Sequence, residues 1–139
     1  LNDKFDNSTI GKILLEPTKI YLQTIAKISK NYDVAGVNNT GYGLKNFNRI
    51  KGNFEFLIGN PLKPQPIFEL MQKESNFSDK EMYETFNMGM GFFVICKEKE
   101  ADKILQIAKE GRVVGDVRKA EKTRTILEKG NKRIAFEGY

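Results

Sequence analysis

Glu81-Met82-Tyr83-Glu84-Thr85-Phe86-Asn87-Met88-Gly89-Met90-Gly91-Phe92-Phe93-Val94-Ile95-Cys96 is the stretch that decides how the rest of this chain reads. It begins helical, passes through a turn holding Asn87 and two glycines, and enters five apolar residues. That run is short, β-rich and apolar at every position, the pattern of a strand buried on both faces. Gly89 and Gly91 have no Cβ, so the backbone there can take φ > 0 and come close to another group. Such an entry to a buried strand is a place able to hold a polar ligand. Thr85 and Asn87, small and polar at the strand's edge, need partners, either local backbone or a ligand. Just upstream, Ser78 is a natural N-cap and Glu81 follows three residues later. This is a capping box that starts a helix running to about Glu84.

Downstream, residues 97–110 place Ala101, Ile104, Leu105 and Ala108 on one helical face, and Gly111 stops the helix. Residues 113–117, 125–127 and 133–136 read as strands, the last two joined by Gly130-Asn131, a two-residue hairpin signal. Upstream, residues 53–58 alternate, with Phe54, Phe56 and Ile58 on one face and Glu55 and Leu57 on the other, as in a half-buried strand. Residues 59–66 hold three prolines and form a rigid loop before a short helix over 67–72. A short strand over 34–37 leads into Asn38-Asn39-Thr40-Gly41-Tyr42-Gly43 and a short helix over 44–50. Glycines spaced by one residue before a helix can present N–H groups to an anion, or simply make a strand-to-helix turn. Pro17 suits the first turn of a helix whose buried face carries Tyr21, Ile25, Ile28 and Tyr32. Residues 1–12, with Asp3, Asp6, Asn7 and Gly11, read as a loose or extended lead-in to one domain over 13–139. The expected class is α+β: a mixed or antiparallel sheet of about four main strands, two longer helices on one face, and a short helix or two besides.

The 139 residues suffice for one core. Histidine is absent, which excludes a histidine triad, a histidine zinc site and histidine acid–base chemistry within this chain. One cysteine cannot close an internal disulfide, which fits a reducing cytoplasm. Cys96 lies in an apolar run and reads as an inert core thiol. The apolar runs are far too short to span a bilayer, so no membrane role is expected. The charge of +5 is spread along the chain with dense patches only at 118–124 and 129–133, and reads as a solvated basic surface without a nucleic-acid motif. No set of acidic residues reads as a metal site. The chain begins with Leu rather than Met, as a fragment or trimmed product would.

EMYETFNMGMGFFVI resembles the segment that marks the C-terminal half of phosphoribosylformylglycinamidine cyclo-ligase, also called aminoimidazole ribonucleotide synthetase. Two more stretches carry the resemblance in the same order. LLEPTKIY, ending at Tyr21, is similar to the LxPTRIY-like start of that family's C-terminal domain, with Lys19 in place of the usual arginine. Lysine keeps the charge but loses the planar, two-pronged donor. NNTGYG is similar to a His-x-Thr-Gly-Gly-Gly stretch that borders the family's substrate cleft. Thr40, Gly41 and Gly43 are kept, while Asn38 stands at the histidine position and Tyr42 at the middle glycine. An amide cannot shuttle a proton, and a tyrosine ring there is expected to fill space meant for ligand. Arg49 matches a basic residue common in the family at that place.

The resemblance runs from about Gly11 to Phe136 but covers only the second half of the family's architecture. It implies ATP-dependent ring closure of formylglycinamidine ribonucleotide to aminoimidazole ribonucleotide, with ATP and magnesium bound mainly by an N-terminal nucleotide-binding half on the same or another chain. It further implies a phosphorylated ribonucleotide substrate, the family's homodimer and a cytoplasmic location. Carried over by position, Lys19, Asn38, Thr40, Gly41, Gly43, Arg49, Thr85, Asn87 and Gly89 are the expected substrate-binding residues. Lys19 or Arg49 would favour the phosphate, and Asn38 would orient without transferring protons. Alone, such a domain is not expected to turn over ATP, and an apolar face should be exposed where the other half packs. Two rival readings stay open. One is a related ATP-using enzyme such as selenophosphate synthetase, thiamine-monophosphate kinase or the hydrogenase-maturation dehydratase. The other is a non-catalytic binding or interaction module, to which Asn38 and Tyr42 point.

Overall fold

The computed structural model describes residues 2–5 and 8–138. The chain opens with β1 (Lys4–Phe5) paired antiparallel to β2 (Ser8–Thr9), then α1 (Ile10–Leu14), whose first turn is capped by the Thr9 hydroxyl. The lead-in is therefore more ordered than its composition predicts; Asp6 and Asn7, on which that reading partly rested, lie outside the described residues. Next come α2 (Leu22–Asn31), β3 (Ala35–Asn38), a 3-10 helix (Gly43–Arg49) and β4 (Phe54–Ile58). They are followed by α3 (Pro66–Ser75), α4 (Asp79–Thr85) and β5 (Phe92–Ile95). A 3-10 turn (Glu98–Glu100) leads into α5 (Ala101–Ile107), and β6 (Gly115–Lys119), β7 (Arg124–Lys129) and β8 (Lys132–Phe136) complete the chain.

The expected α+β class is the one the chain adopts, with a four-stranded sheet in the order β6-β4-β7-β8. β4 runs parallel to β7 and antiparallel to β6, and β7 and β8 form the antiparallel hairpin that Gly130-Asn131 turns, so the sheet is mixed. Its inner face supplies Phe56, Ile58, Leu127 and Phe136 to a core shared with Leu44 and Phe47 of the 3-10 helix and Met82 and Tyr83 of α4. Phe68 and Met71 of α3 pack on the edge of that core. β5 is not buried on both faces as its composition implies: among the described residues it pairs with β3 alone, and only Phe93 of the strand is fully buried. α2 packs against α5, with Ile28 and Ile104 buried on the two helices. Among the described residues no helix is long and apolar enough to cross a membrane.

Two polar centres hold the sheet and helices together, and they draw Arg118, Arg124, Lys129, Lys132 and Arg133 from the basic patches of the sequence. Glu55, on the face of β4 expected to meet solvent, is 2% exposed. Arg118 of β6 and Arg124 of β7 both hydrogen-bond its carboxylate, and Arg133 of β8 lies 4.0 Å away. The Arg118 and Arg124 guanidiniums hold the Glu55 carboxyl below the ordinary carboxylate range. Asp79, at the first position of α4, accepts from Lys129 at 2.6 Å, from Gln72 at 3.1 Å and from Lys132 at 3.4 Å, which ties α3 and α4 to the hairpin end.

The Lys129 ammonium leads these groups in lowering the Asp79 carboxyl from 3.8 to about 2. A depressed carboxyl stabilises the fold fully above its unfolded value and loses that contribution as pH falls through the folded one. Asp79→Asn is therefore expected to lower stability by on the order of 1 kcal/mol at pH 7, after screening by solvent. The difference should close as pH falls from about 4 toward about 2 in urea titrations comparing the two proteins.

Candidate functional site

The site follows from how two loops are fastened to the end of the β3–β5 pair. Asn38, the last residue of β3, faces Phe92, the first of β5. Past that point the chain keeps its period of two: Val37 is buried, Asn38 exposed, Asn39 buried and Thr40 exposed. Asn39 is thus turned inward, and its role is to fix the turn before β5. Its backbone N–H donates to the Gly91 carbonyl at 2.9 Å. Its Nδ2 donates to the Met90 carbonyl at 2.8 Å and the Asn87 carbonyl at 3.3 Å. Alternation counted outward from Val37 would have singled out Asn39, which composition alone does not distinguish from Asn38.

The turn itself has Met88 at φ 48 and Gly89 at φ 85, and the Met90 N–H closes it on the Asn87 carbonyl at 2.9 Å. Left-handed conformation at both central positions is the I′-type arrangement. Asn87 adds an Asx contact, its Oδ1 accepting from the Gly89 N–H at 3.0 Å. Across from it, residues 40–43 form a second tight turn closed by the Gly43 N–H on the Thr40 carbonyl at 3.0 Å. Asn46, also buried, donates to the carbonyls of Gly41 at 3.0 Å and Gly43 at 2.8 Å. The Gly43 N–H is spent within this turn, which leads from the strand into the 3-10 helix.

The third wall is the segment before α2. The sequence places Pro17 in the first turn of this helix, yet α2 starts at Leu22 and Pro17–Ile20 carries no helical turn. The fixed φ of proline suits an extended chain as well as a helix start, and here tertiary contact decides. Tyr21 points inward: its ring tilts against Phe92 at 5.7 Å between centroids, and its hydroxyl lies where a Cβ on Gly91 would be. Gly91 is required for that close approach.

Together these segments enclose a groove of about 580 Å³ lined by Lys19, Asn38, Asn39, Thr40, Gly41, Thr85, Asn87 and the aromatic rings of Tyr21, Phe86 and Phe92, with Thr18, Ile20, Leu22 and Gly91 completing it. Of the residues singled out from sequence, Lys19, Asn38, Thr40, Gly41, Thr85 and Asn87 come together here, from three separate stretches of chain. Gly43, Arg49 and Gly89 do not line the groove. Gly43 packs on the Tyr83 carbonyl of α4, Arg49 ends the 3-10 helix, and Gly89 faces Gln65 and the Lys63–Pro64 backbone. Tyr42 does not fill the groove either. It is 62% exposed and holds φ 72, the left-handed conformation that glycine would adopt without strain.

Lys19 hydrogen-bonds Glu110, which follows α5, and its ammonium lies 6.0 Å from the centre of the Tyr21 ring. Cys96 is half-buried, and burial, followed by the Glu100 charge, pushes its thiol up and keeps it protonated.

Residues 1–128 match the family described as AIR synthase related protein, C-terminal domain. The chain is 47% identical over 116 residues to a phosphoribosylformylglycinamidine cyclo-ligase of Methanosarcina barkeri, covering 81% of this chain and 34% of that protein. The protein of the same name from Methanosarcina mazei is 45% identical over 116 residues, with the same shares covered. One from Methanococcus maripaludis is 32% identical over 150 aligned positions, covering 99% of this chain and 43% of that protein. The chain thus spans between about a third and about two-fifths of the length of these curated relatives.

Proposed function

That this chain belongs to the AIR synthase related protein, C-terminal domain family is the premise from which we propose that it forms the substrate-cleft part of a phosphoribosylformylglycinamidine cyclo-ligase-like protein. The reaction in this reading is ATP-dependent closure of formylglycinamidine ribonucleotide to aminoimidazole ribonucleotide, in the cytoplasm, within purine biosynthesis. The observation that carries it is the groove, in which six residues expected to bind substrate meet: Lys19, Asn38, Thr40, Gly41, Thr85 and Asn87.

Each wall has a task that its chemistry allows. Lys19 attracts the ligand's phosphate, Thr40 and Asn87 offer hydrogen bonds, and Gly41 leaves room beside its backbone, where an added Cβ would meet nothing within 4 Å. Asn38 orients the ligand but transfers no proton. Tyr21, Phe86 and Phe92 present apolar surface to its rings or ribose. The groove thus positions substrate, which is the larger part of what a phosphoryl-transfer enzyme must do. Among the described residues no group of three or more Asp, Glu or Cys side chains is arranged to hold a metal ion. In this reading magnesium and most ATP contacts belong to an N-terminal nucleotide-binding part.

That partner is supported by an exposed apolar strip beside the groove. Leu14, Leu15, Ile20 and Leu22 are 55–83% exposed within nine residues, and Ile20 and Leu22 also line the groove. A surface covering them would also roof the groove and exclude water from it. The second reading, a binding module without catalysis, now rests on Asn38, since Tyr42 stands outside the groove.

Calorimetric titration of the chain with formylglycinamidine ribonucleotide tests the proposal. Saturable one-to-one binding is expected. Lys19→Ala should weaken it about three- to tenfold, the scale of a partly exposed charge-assisted contact, whereas Arg49→Ala should leave it within about twofold. Heat of dilution alone, or a loss on Arg49→Ala with none on Lys19→Ala, would refute it.

A further inference from the structure

Among the described residues Lys19 is the one charged side chain that lines the groove, and it is already engaged. Its partner, Glu110, is 91 positions away in sequence and stands outside the groove. The pairing arises from the fold. Lys19 precedes α2 and Glu110 follows α5, and the packing of these two helices brings their ends together. A short turn after α5, closed by the Gly111 N–H on the Ala108 carbonyl at 2.7 Å, presents the Glu110 carboxylate. Both side chains remain open to water, at 52% for Lys19 and 80% for Glu110.

A carboxylate hydrogen-bonded to an ammonium occupies the position a phosphate oxygen would take. We infer that Glu110 is a positioning residue that competes with the ligand's phosphate for Lys19 and so sets how tightly the groove holds a phosphorylated ligand. The inference rests on the functional reading above and extends it to a residue outside the cleft. The pair is weak because both members are solvated, so a dianionic phosphate displaces the carboxylate, and the pair's strength appears as a penalty on affinity. While no ligand is bound, Glu110 holds the Lys19 side chain beside Tyr21 instead of leaving it to sample solvent. The same competition favours ligands bearing a phosphate over those bearing a single carboxylate, which has less charge with which to displace Glu110.

The test uses the whole chain with formylglycinamidine ribonucleotide and, as control, the corresponding nucleoside without phosphate. Glu110→Gln is expected to bind the ribonucleotide two- to fivefold more tightly than wild type and the nucleoside no differently. Glu110→Asp, which restores the charge, should return the affinity toward wild type. Lys19→Gln combined with Glu110→Gln should bind no more tightly than Lys19→Gln alone. Equal affinity of Glu110→Gln and wild type overturns the inference while the functional reading stands. A gain that persists without Lys19, or that extends to the nucleoside, overturns it too. Saturable binding by neither wild type nor Glu110→Gln removes the reading of the groove, and this inference with it.

Discussion

Gly43→Ala is expected to destabilise the domain by about 3 kcal/mol or more, the largest effect of any single methyl added near the groove. Two costs combine. Gly43 has φ 48, where an L side chain is strained by about 1–2 kcal/mol. Its missing Cβ also points at the backbone of α4, where it would collide with the Tyr83 carbonyl oxygen. That neighbour is main chain on the buried side of α4, at Tyr83, and cannot rotate away, so α4 or the 40–43 turn must shift. Equilibrium urea unfolding of wild type and variant measures the loss. Gly41→Ala is the control, since a Cβ there meets nothing within 4 Å, and it should cost less than about 1 kcal/mol. Equal stability of the Gly43 and Gly41 variants would show that the turn does not rest on α4 as described.

Asn39→Ala is expected to cost about 2–3 kcal/mol and to loosen the ligand site more than its stability loss implies. The substitution leaves the Met90 and Asn87 carbonyls without the amide that joins them, the first of them in a buried bond and the second in a part-buried one. Met88, already at φ 48, is then held in a left-handed conformation by fewer contacts. Amide hydrogen exchange should report the difference. Protection at Met90 and around Gly91 falls in Asn39→Ala, while that of β7 falls only by the global change in stability. Uniform loss across both regions would make Asn39 a general core residue rather than the clasp of the turn.

Local rules were legible, and contacts across the chain were not. The Ser78–Glu81 capping box needs only residues three apart, and both of its hydrogen bonds form. The Gly130-Asn131 hairpin is equally local, with Gly130 at φ 58 and Lys129 paired to Lys132. Glu55 shows the opposite case. Alternation along β4 gave its face correctly, but the arginines that bury it arrive from 63 and 69 positions away, so the face was expected to meet solvent. The helix expected over 97–110 is shorter, since it begins as a 3-10 turn and ends at Ile107, before the turn that places Glu110 against Lys19.

For the candidate site, sequence motifs named the walls but not their depth. Thr40, Gly41, Thr85 and Asn87 were singled out and share the groove, yet Gly43 and Gly89 serve the backbone beneath it. A glycine that lets a chain turn and one that admits a ligand look alike in sequence. Tyr21 was read as one residue of a helix face, although its inward turn is what leaves Ile20 and Leu22 exposed. Glu110 carried no signal at all, because its meaning depends on α2 and α5 packing together.

The most direct test of the central claim is an amide chemical-shift map of the isotope-labelled chain titrated with formylglycinamidine ribonucleotide. The account predicts saturable shifts that cluster at Lys19, Thr40, Gly41, Asn87 and Gly91 and share one dissociation constant, with β6 and β8 unmoved. Shifts centred on the Glu55 arginines, or none that saturate, would contradict it.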